Sequence, residues 1–136
     1  LYLSNYIIRN KDDYYYHLAG VTQRRTWKPW ILFMLDAIEK TSINTNHTID
    51  LIIDQMEASL AYGKKELKWY NKEVNEAIFS QPYIKASAIG RVTGRKSRTT
   101  VTAYMKELTM KKILSAKQVG KEVFYINNDL VRILEN

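Results

Sequence analysis

Hydrophobic positions follow a helical period through the first half of the chain. Between Trp27 and Ile38, apolar residues recur at intervals of three and four, which is the spacing of one helix face. A second stretch of this kind runs from Ile49 to Leu60, and we predict it to be a separate helix that begins near Asn46. The first half is therefore expected to be helical throughout.

The residues before Trp27 add two further predicted elements. A short apolar segment covers residues 1–9, and Asp12 and Asp13 then precede a helix over residues 14–25, because acidic residues favour a helix N-terminus. Thr26 is expected to cap the next helix, with Pro29 in its first turn. Gly63 is predicted to end or weaken the helix from Asn46, so that residues 60–70 connect the two halves.

The second half has a different rhythm. We predict a short helix over residues 71–79, stopped by Pro82, and another over Tyr83–Val92 with Ile84, Ala88 and Ile89 facing inward. Thr93-Gly94 resembles the tight turn of a helix–turn–helix, and Ser97 would cap a helix that continues to about Lys111.

A β-hairpin and a last helix are predicted to follow. Ile113-Leu114 and Val123–Ile126 are short β-prone runs on either side of a polar loop around Gly120, which is the pattern of a hairpin. Asn127–Leu134 would form the last helix. The pattern predicts a mainly α chain that ends in a winged helix–turn–helix over residues 71–136.

The helix from Ser97 has two chemically different faces. Four apolar side chains fall at helical spacing and should be buried: Val101, Tyr104, Met105 and Leu108. The opposite face carries small, hydroxylic or basic side chains: Arg98, Thr99, Thr102, Ala103 and Lys106. Such a face suits the major groove of DNA, where basic groups meet phosphate and short polar groups meet base edges.

Charge is concentrated in this same region. The chain carries a net +7, and between Lys85 and Lys121 there are ten basic residues against one acid, Glu107. A basic surface on one small domain points to a polyanionic partner; the alternative is a solvated lysine-rich face, or a winged helix that contacts protein. The candidate DNA-binding residues are Arg95, Lys96, Arg98, Thr99, Thr102, Lys106, Lys117 and Lys121, with the loop over residues 117–121 as the wing.

Other classes of site find little support. The chain has no cysteine, which excludes thiolate chemistry and fits a reducing, cytoplasmic setting, and no apolar run is long enough for a membrane helix. His17 is expected to pack on a helix and His47 to lie near a helix start. Trp27 and Trp30 are expected in the core. Three acids at helical spacing, Asp50, Asp54 and Glu57, lack a further ligand for a metal.

Two segments resemble a known family. LYLSNYIIRNKDDYY over residues 1–15 and WKPWILFMLDAIEKT over residues 27–41 are similar to the region downstream of the active site in bacterial Fic proteins (filamentation induced by cAMP). Members transfer AMP from ATP to a protein hydroxyl, and some carry a C-terminal winged helix after a linking helix. The resemblance implies terminal helices of a Fic domain over residues 1–44, a linking helix over 45–70 and a winged helix over 71–136.

The family's catalytic signature is absent from these residues. It reads His-Pro-Phe, two variable residues and Gly-Asn-Gly-Arg, whereas Leu18 follows His17 and Thr48 follows His47. The signature is expected shortly before Leu1. The resemblance therefore implies ATP and magnesium as cofactors of the intact protein and a protein as its target, but no catalytic, cofactor-binding or metal-binding residue in this chain, which alone should be inactive.

A different class of protein would explain the same pattern. In this alternative the chain is a non-enzymatic winged-helix transcription regulator, and its N-terminal helices form a dimerisation module. Both interpretations leave much apolar surface on the N-terminal helices, so we expect association with another copy or another segment.

Overall fold

The computed structural model describes residues 2–95 and 97–135. The chain divides into two compact units, Leu1–Asp50 and Leu51–Asn136. Seven helices and a small three-stranded antiparallel sheet are present in the described residues. The predicted fold class, mainly α with a small β-hairpin, is confirmed.

The first unit begins with two helices in close succession. α1 spans Leu3–Arg9 and α2 spans Lys11–Arg24, with Asp12 and Asp13 in the first turn of α2 as predicted. Asn10 separates the two helices, and its side-chain amide donates to the Tyr6 carbonyl at 2.9 Å. Two short helices can thus follow one another without a loop between them.

A single helix, α3, spans Trp27–Glu66, so the prediction of a separate helix from Asn46 is wrong. The residues between the two apolar stretches are poor helix formers because their hydroxyls compete for backbone groups. Here Ser42, Thr45 and Thr48 each donate to the carbonyl four residues earlier, at 2.7, 2.8 and 3.0 Å. This bonding satisfies the hydroxyls within the helix, and no glycine or proline interrupts the stretch.

Aromatic rings hold the first unit together. Tyr14 lies 5.2 Å from Trp30 and 6.4 Å from Phe33 between ring centroids, and the Tyr6 hydroxyl donates to the Asp36 carboxylate at 2.7 Å. Trp30 is half-buried by these contacts, but Trp27 is 59% exposed. The prediction that both tryptophans belong to the core is therefore wrong for Trp27.

The second unit continues with the remaining elements. Their bounds are α4 Lys72–Phe79, β1 Tyr83–Ile84, α5 Ala86–Val92, α6 Arg98–Met110, β2 Ser115–Val119, β3 Glu122–Ile126 and α7 Asn128–Glu135. The strand order is β1-β3-β2 with both pairs antiparallel. Asn71 caps α4 by accepting from the Val74 amide at 2.9 Å.

Two predicted boundaries in this unit are corrected. Tyr83 and Ile84 form a strand rather than the start of a helix, because they pair with Ile126 and Tyr125 of the hairpin. Ile113 and Leu114 form the turn that follows α6 and are not part of β2. Lys112 has a left-handed φ of 58°, and the amides of Ile113 and Leu114 donate to the Leu108 carbonyl. Both runs are apolar enough for strands, so tertiary pairing decides.

The core of the second unit draws on α3 as well as on the later elements. Its fully buried side chains are Val74, Ile78, Ile89, Met105 and Leu108. The segment after α3 adds Leu67 and Tyr70, while Ile52, Met56 and Leu60 of α3 are partly buried against the same core. The last turns of α3 are therefore part of the second unit's packing.

Gly63 makes room for this packing. Tyr70 lies over the glycine so closely that an added Cβ would stand 2.4 Å from the ring. The Tyr70 hydroxyl donates to Asn75 at 2.8 Å, and Asn75 donates to the Met56 carbonyl at 3.0 Å. Contrary to the prediction, Gly63 does not end α3, which continues to Glu66. Its missing side chain lets the Tyr70 ring pack directly against the helix.

We predict that Gly63→Ala destabilises the protein. In an ordinary helix this change stabilises by about 1 kcal/mol, whereas here the methyl group must displace Tyr70, and overpacking of this kind costs about 1–3 kcal/mol. Urea denaturation measures the difference, with Ala61→Gly at an exposed position of the same helix as the control for helix propensity. A gain in stability for Gly63→Ala would contradict the packing described.

We predict that Glu66 contributes to stability only above acidic pH. Lys111 donates to the Glu66 carboxylate at 2.7 Å, and this contact holds the pKa of Glu66 below its ordinary value of 4.5. A carboxylate whose pKa is lower in the folded than in the unfolded protein stabilises the fold at pH values above its unfolded pKa. This stabilisation is lost as the pH falls through its folded pKa. Melting temperatures between pH 3 and 7 should fall less steeply for Glu66→Gln than for the wild type. Glu57→Gln, exposed on the same helix, should keep the wild-type profile; equal profiles for all three proteins would refute the prediction.

We predict that the first unit associates through its exposed apolar face. Ile31, Leu35 and Ile38 are 50%, 56% and 44% exposed, and contiguous apolar surface of this kind usually marks an interface. Sedimentation equilibrium at micromolar concentration should show self-association that Leu35→Asp weakens, because the change places a charge in the face. Asn44→Asp, an exposed position of α3, is the control. A strictly monomeric wild type would contradict the prediction of association with another copy.

Candidate nucleic-acid interface

α5 and α6 are joined by a tight turn, as predicted. Gly94 lies in this turn with a φ of 65°, and the Arg95 amide donates to the Gly90 carbonyl at 3.0 Å. A Cβ on Gly90 would stand 3.1 Å from Val101 and 3.2 Å from the Arg95 carbonyl. Glycine at this position lets the start of α6 lie close against α5.

The two predicted faces of α6 are confirmed. Val101, Met105 and Leu108 are buried, and Tyr104 is partly buried against the same core. The opposite face is exposed at all five predicted positions, which are Arg98, Thr99, Thr102, Ala103 and Lys106. Because one face of α6 is buried, the side chains on its opposite face point outward.

An aromatic pair secures α6 from the side. The Trp69 and Tyr104 rings stack with centroids 4.0 Å apart and planes 13° apart. The Trp69 indole N–H also donates to the Glu107 carboxylate at 2.6 Å. Glu107 is the one acid in the α6 sequence, so this contact engages its charge away from the exposed basic face.

A groove of about 880 Å³ lies between α5, the start of α6 and the β2–β3 hairpin. We call it the basic groove. Of the residues that the structure describes, five bases and one acid, Glu122, line it; the bases are Lys85, Arg91, Arg95, Arg98 and Lys121. Ser87, Thr102 and Tyr125 are among the other lining residues. Such a distribution of charge suits an anionic ligand.

Four of the eight predicted residues meet in the basic groove: Arg95, Arg98, Thr102 and Lys121. Thr99 and Lys106 are exposed on α6 but do not line the groove. Lys117 pairs with Phe124 across the hairpin, and it too lies outside the groove lining. Lys96 lies outside the described residues.

Lys85 and Arg91 were not among the predicted residues, although both belong to the basic stretch. The predicted helix from Tyr83 would have placed Lys85 inside a helix. The strand β1 places it instead at the junction of sheet and α5, beside the hairpin. Arg91, in the last turn of α5, reaches the same groove. The pairing of β1 with β3 brings the start of α5, and with it Lys85, beside the hairpin.

The bases of the groove differ in their partners. Lys85 donates to both carboxylate oxygens of Glu122 at 2.9 and 2.8 Å. Among the residues that the structure describes, no acid lies within 4.0 Å of the charged groups of Arg91, Arg95, Arg98 or Lys121. Among the described residues, these four positive charges are therefore held in one groove without forming an ion pair.

The hydroxyl of Thr102 has a defined role in the local structure. It donates to the Arg98 carbonyl at 2.8 Å, so its hydrogen is engaged and the oxygen can still accept a hydrogen bond. Thr102 is exposed in spite of this bond. A side chain of this size leaves space for a ligand to approach the backbone of α6.

The two histidines lie in different surroundings. The His17 ring packs 5.3 Å from Phe33, as expected, whereas His47 lies exposed inside α3 rather than near a helix start. Within residues 2–95 and 97–135, no three His, Cys, Asp or Glu side chains are grouped so that they could hold a metal ion. In that same part of the chain, no helix combines the length and apolar character needed to cross a membrane.

One family model matches this chain. It is described as "Protein adenylyltransferase SoFic-like, C-terminal domain" and covers residues 55–130, from the last turns of α3 through the basic groove and into α7. The match includes more than half of the chain and supports the resemblance to Fic proteins. The chain belongs to the SoFic-like protein adenylyltransferase family and carries its C-terminal domain.

Proposed function

We propose that the second unit is a winged helix–turn–helix that binds duplex DNA within a protein adenylyltransferase. The observation that carries this proposal is the convergence of five described basic side chains from α5, α6 and the hairpin on one groove, where the described residues include one acid. Phosphate contacts supply most of the sequence-independent affinity of a protein for DNA. Four of the five bases form no ion pair within 4.0 Å among the described residues and are available for such contacts.

In the proposed complex, α6 enters the major groove. Its exposed face has small side chains at Thr99, Thr102 and Ala103, which permit close approach to base edges. Arg98, in the first turn of α6, borders both this face and the basic groove. The hairpin, through Lys121, then lies against the flanking backbone, as wings do beside a recognition helix.

The catalytic step belongs elsewhere in the proposed protein. We infer that the intact protein is a protein adenylyltransferase, as its family's description says, and that it transfers AMP from ATP to a protein hydroxyl, as the resemblance to Fic proteins implies. The residues here do not fit ATP or magnesium, since the chain has neither the family's signature nor a glycine-rich phosphate loop, and the described residues offer no cluster of metal ligands. The second unit would direct that activity to DNA or to proteins bound there.

We predict that Thr102→Glu abolishes DNA binding without unfolding the protein. The change adds a negative charge to the exposed face of α6, where it repels phosphate, while Val101 and Met105 keep the helix packed. Electrophoretic shifts with random duplex DNA over a salt series measure binding, and circular dichroism melts measure folding. Ala61→Glu, which adds the same charge at an exposed position of α3, should bind as the wild type does.

We predict that Arg98 and Lys121 act differently. A bidentate contact of Arg98 to guanine is worth roughly 1–3 kcal/mol of discrimination, so Arg98→Ala should relax sequence preference as well as weaken binding. Lys121→Ala should weaken binding evenly across sequences and lower the salt slope by about 1. Lys68→Ala removes a charge outside the groove and is the control. If Thr102→Glu and Arg98→Ala both leave affinity unchanged at low salt, the domain is better explained as a protein-contact module.

A further inference from the structure

Glu122 is the exception in the basic groove. It stands at the start of β3, immediately after Lys121, and is the one acid among the described residues that line the groove. Its carboxylate accepts from Lys85 through both oxygens, at 2.9 and 2.8 Å. A carboxylate in this position lowers the affinity of the groove for an anion.

The fold holds Lys85 and Glu122 together. Lys85 directly follows β1, whose Ile84 pairs with Tyr125 of β3 in antiparallel register, so the chain after β1 runs back along the beginning of β3. The Lys85 ammonium also lies 5.3 Å from the centroid of the Phe124 ring, and the Tyr83 ring packs edge-on against Phe124 at 6.1 Å. The Glu122 carboxylate and the Phe124 ring thus hold the lysine side chain at the hairpin.

The pair is exposed, which limits its value for stability. The two side chains are 50% and 58% exposed, and ion pairs of this kind contribute little to the free energy of unfolding. The same pair has a larger consequence for an anionic ligand. A lysine that already has a carboxylate at contact distance gains little by neutralising a phosphate, and the carboxylate itself repels that phosphate.

We propose that Glu122 is an internal counter-ion that keeps Lys85 from neutralising a DNA phosphate, and that it thereby sets the affinity of the basic groove. The proposal rests on the proposed function of the groove. Phosphate contacts carry no sequence information, whereas base contacts do. By reducing the sequence-independent part of the affinity, Glu122 increases the share contributed by α6, and it is in this sense a specificity-determining residue.

The test is a double-mutant cycle on the full chain with random duplex DNA over a salt series. Glu122→Gln should bind about fivefold more tightly at low salt, the factor for one unit-charge interaction near 4 Å in water, and its salt slope should steepen by about 0.9, the value for one additional phosphate contact. Lys85→Gln should weaken binding, because it leaves the Glu122 carboxylate in the groove without its counter-charge. The double variant Lys85→Gln with Glu122→Gln should lose the gain, because the released lysine is its source.

Glu76→Gln is the matched control. It removes the same charge and also breaks an exposed lysine pair, since Lys72 lies 3.7 Å from Glu76, but Glu76 does not line the groove. A gain for Glu122→Gln no larger than that for Glu76→Gln would overturn the proposal, as would a gain that persists in the double variant. Circular dichroism melts of each variant establish that the compared proteins are folded.

The outcomes also separate this proposal from the function on which it rests. If Thr102→Glu abolishes binding while Glu122→Gln changes nothing, the groove binds DNA and the masking of Lys85 is wrong. If Glu122→Gln weakens binding, Glu122 itself contacts a base donor and the masking is again wrong. If neither the wild type nor any variant binds duplex DNA at low salt, the proposed function fails and this proposal fails with it.

Discussion

Burial of one face of α6 is the constraint on which the second unit depends. Met105 and Leu108 are fully buried, together with Ile78 and Ile89 from the preceding helices. Because a helix is rigid, burying these positions fixes the direction of every other side chain on it. The exposed face with Arg98 and Thr102 is therefore a consequence of the core.

The basic groove lowers the stability of the fold, because it holds positive charges close together. Like charges held near one another repel, and a fold selected for stability alone would separate them or pair them with acids. Here the acids near α6 are engaged elsewhere: Glu66 with Lys111, and Glu107 with Trp69. Glu122, in contrast, lines the groove, where it pairs with Lys85. The arrangement leaves a compact positive surface that the surrounding packing, rather than local ion pairing, holds in place.

The family assignment rests on a different part of the chain from the initial resemblance. The resemblance to Fic proteins comes from residues 1–15 and 27–41, whereas the family model covers residues 55–130. The two regions point to one family by separate routes. The matched range begins within α3, whose Met56 and Leu60 pack on the core of the second unit, and this packing explains why a domain family would include the end of that helix.

The sequence by itself determined the mainly α class, the turn between α5 and α6, the two faces of α6 and the presence of a hairpin, because each of these depends on residues close in the chain. It could not decide whether Tyr83-Ile84 or Ile113-Leu114 form strands, since both runs suit a strand and only pairing with β3 selects the first. Nor could it show that α3 continues past Asn46, where hydroxyl side chains bond back to the helix, or that Gly63 serves Tyr70. The groove itself forms only when these elements pack together in the folded protein. Lys85 and Arg91 lie at the two ends of α5 and Glu122 lies on β3, and the antiparallel register of β1 with β3 brings these elements together.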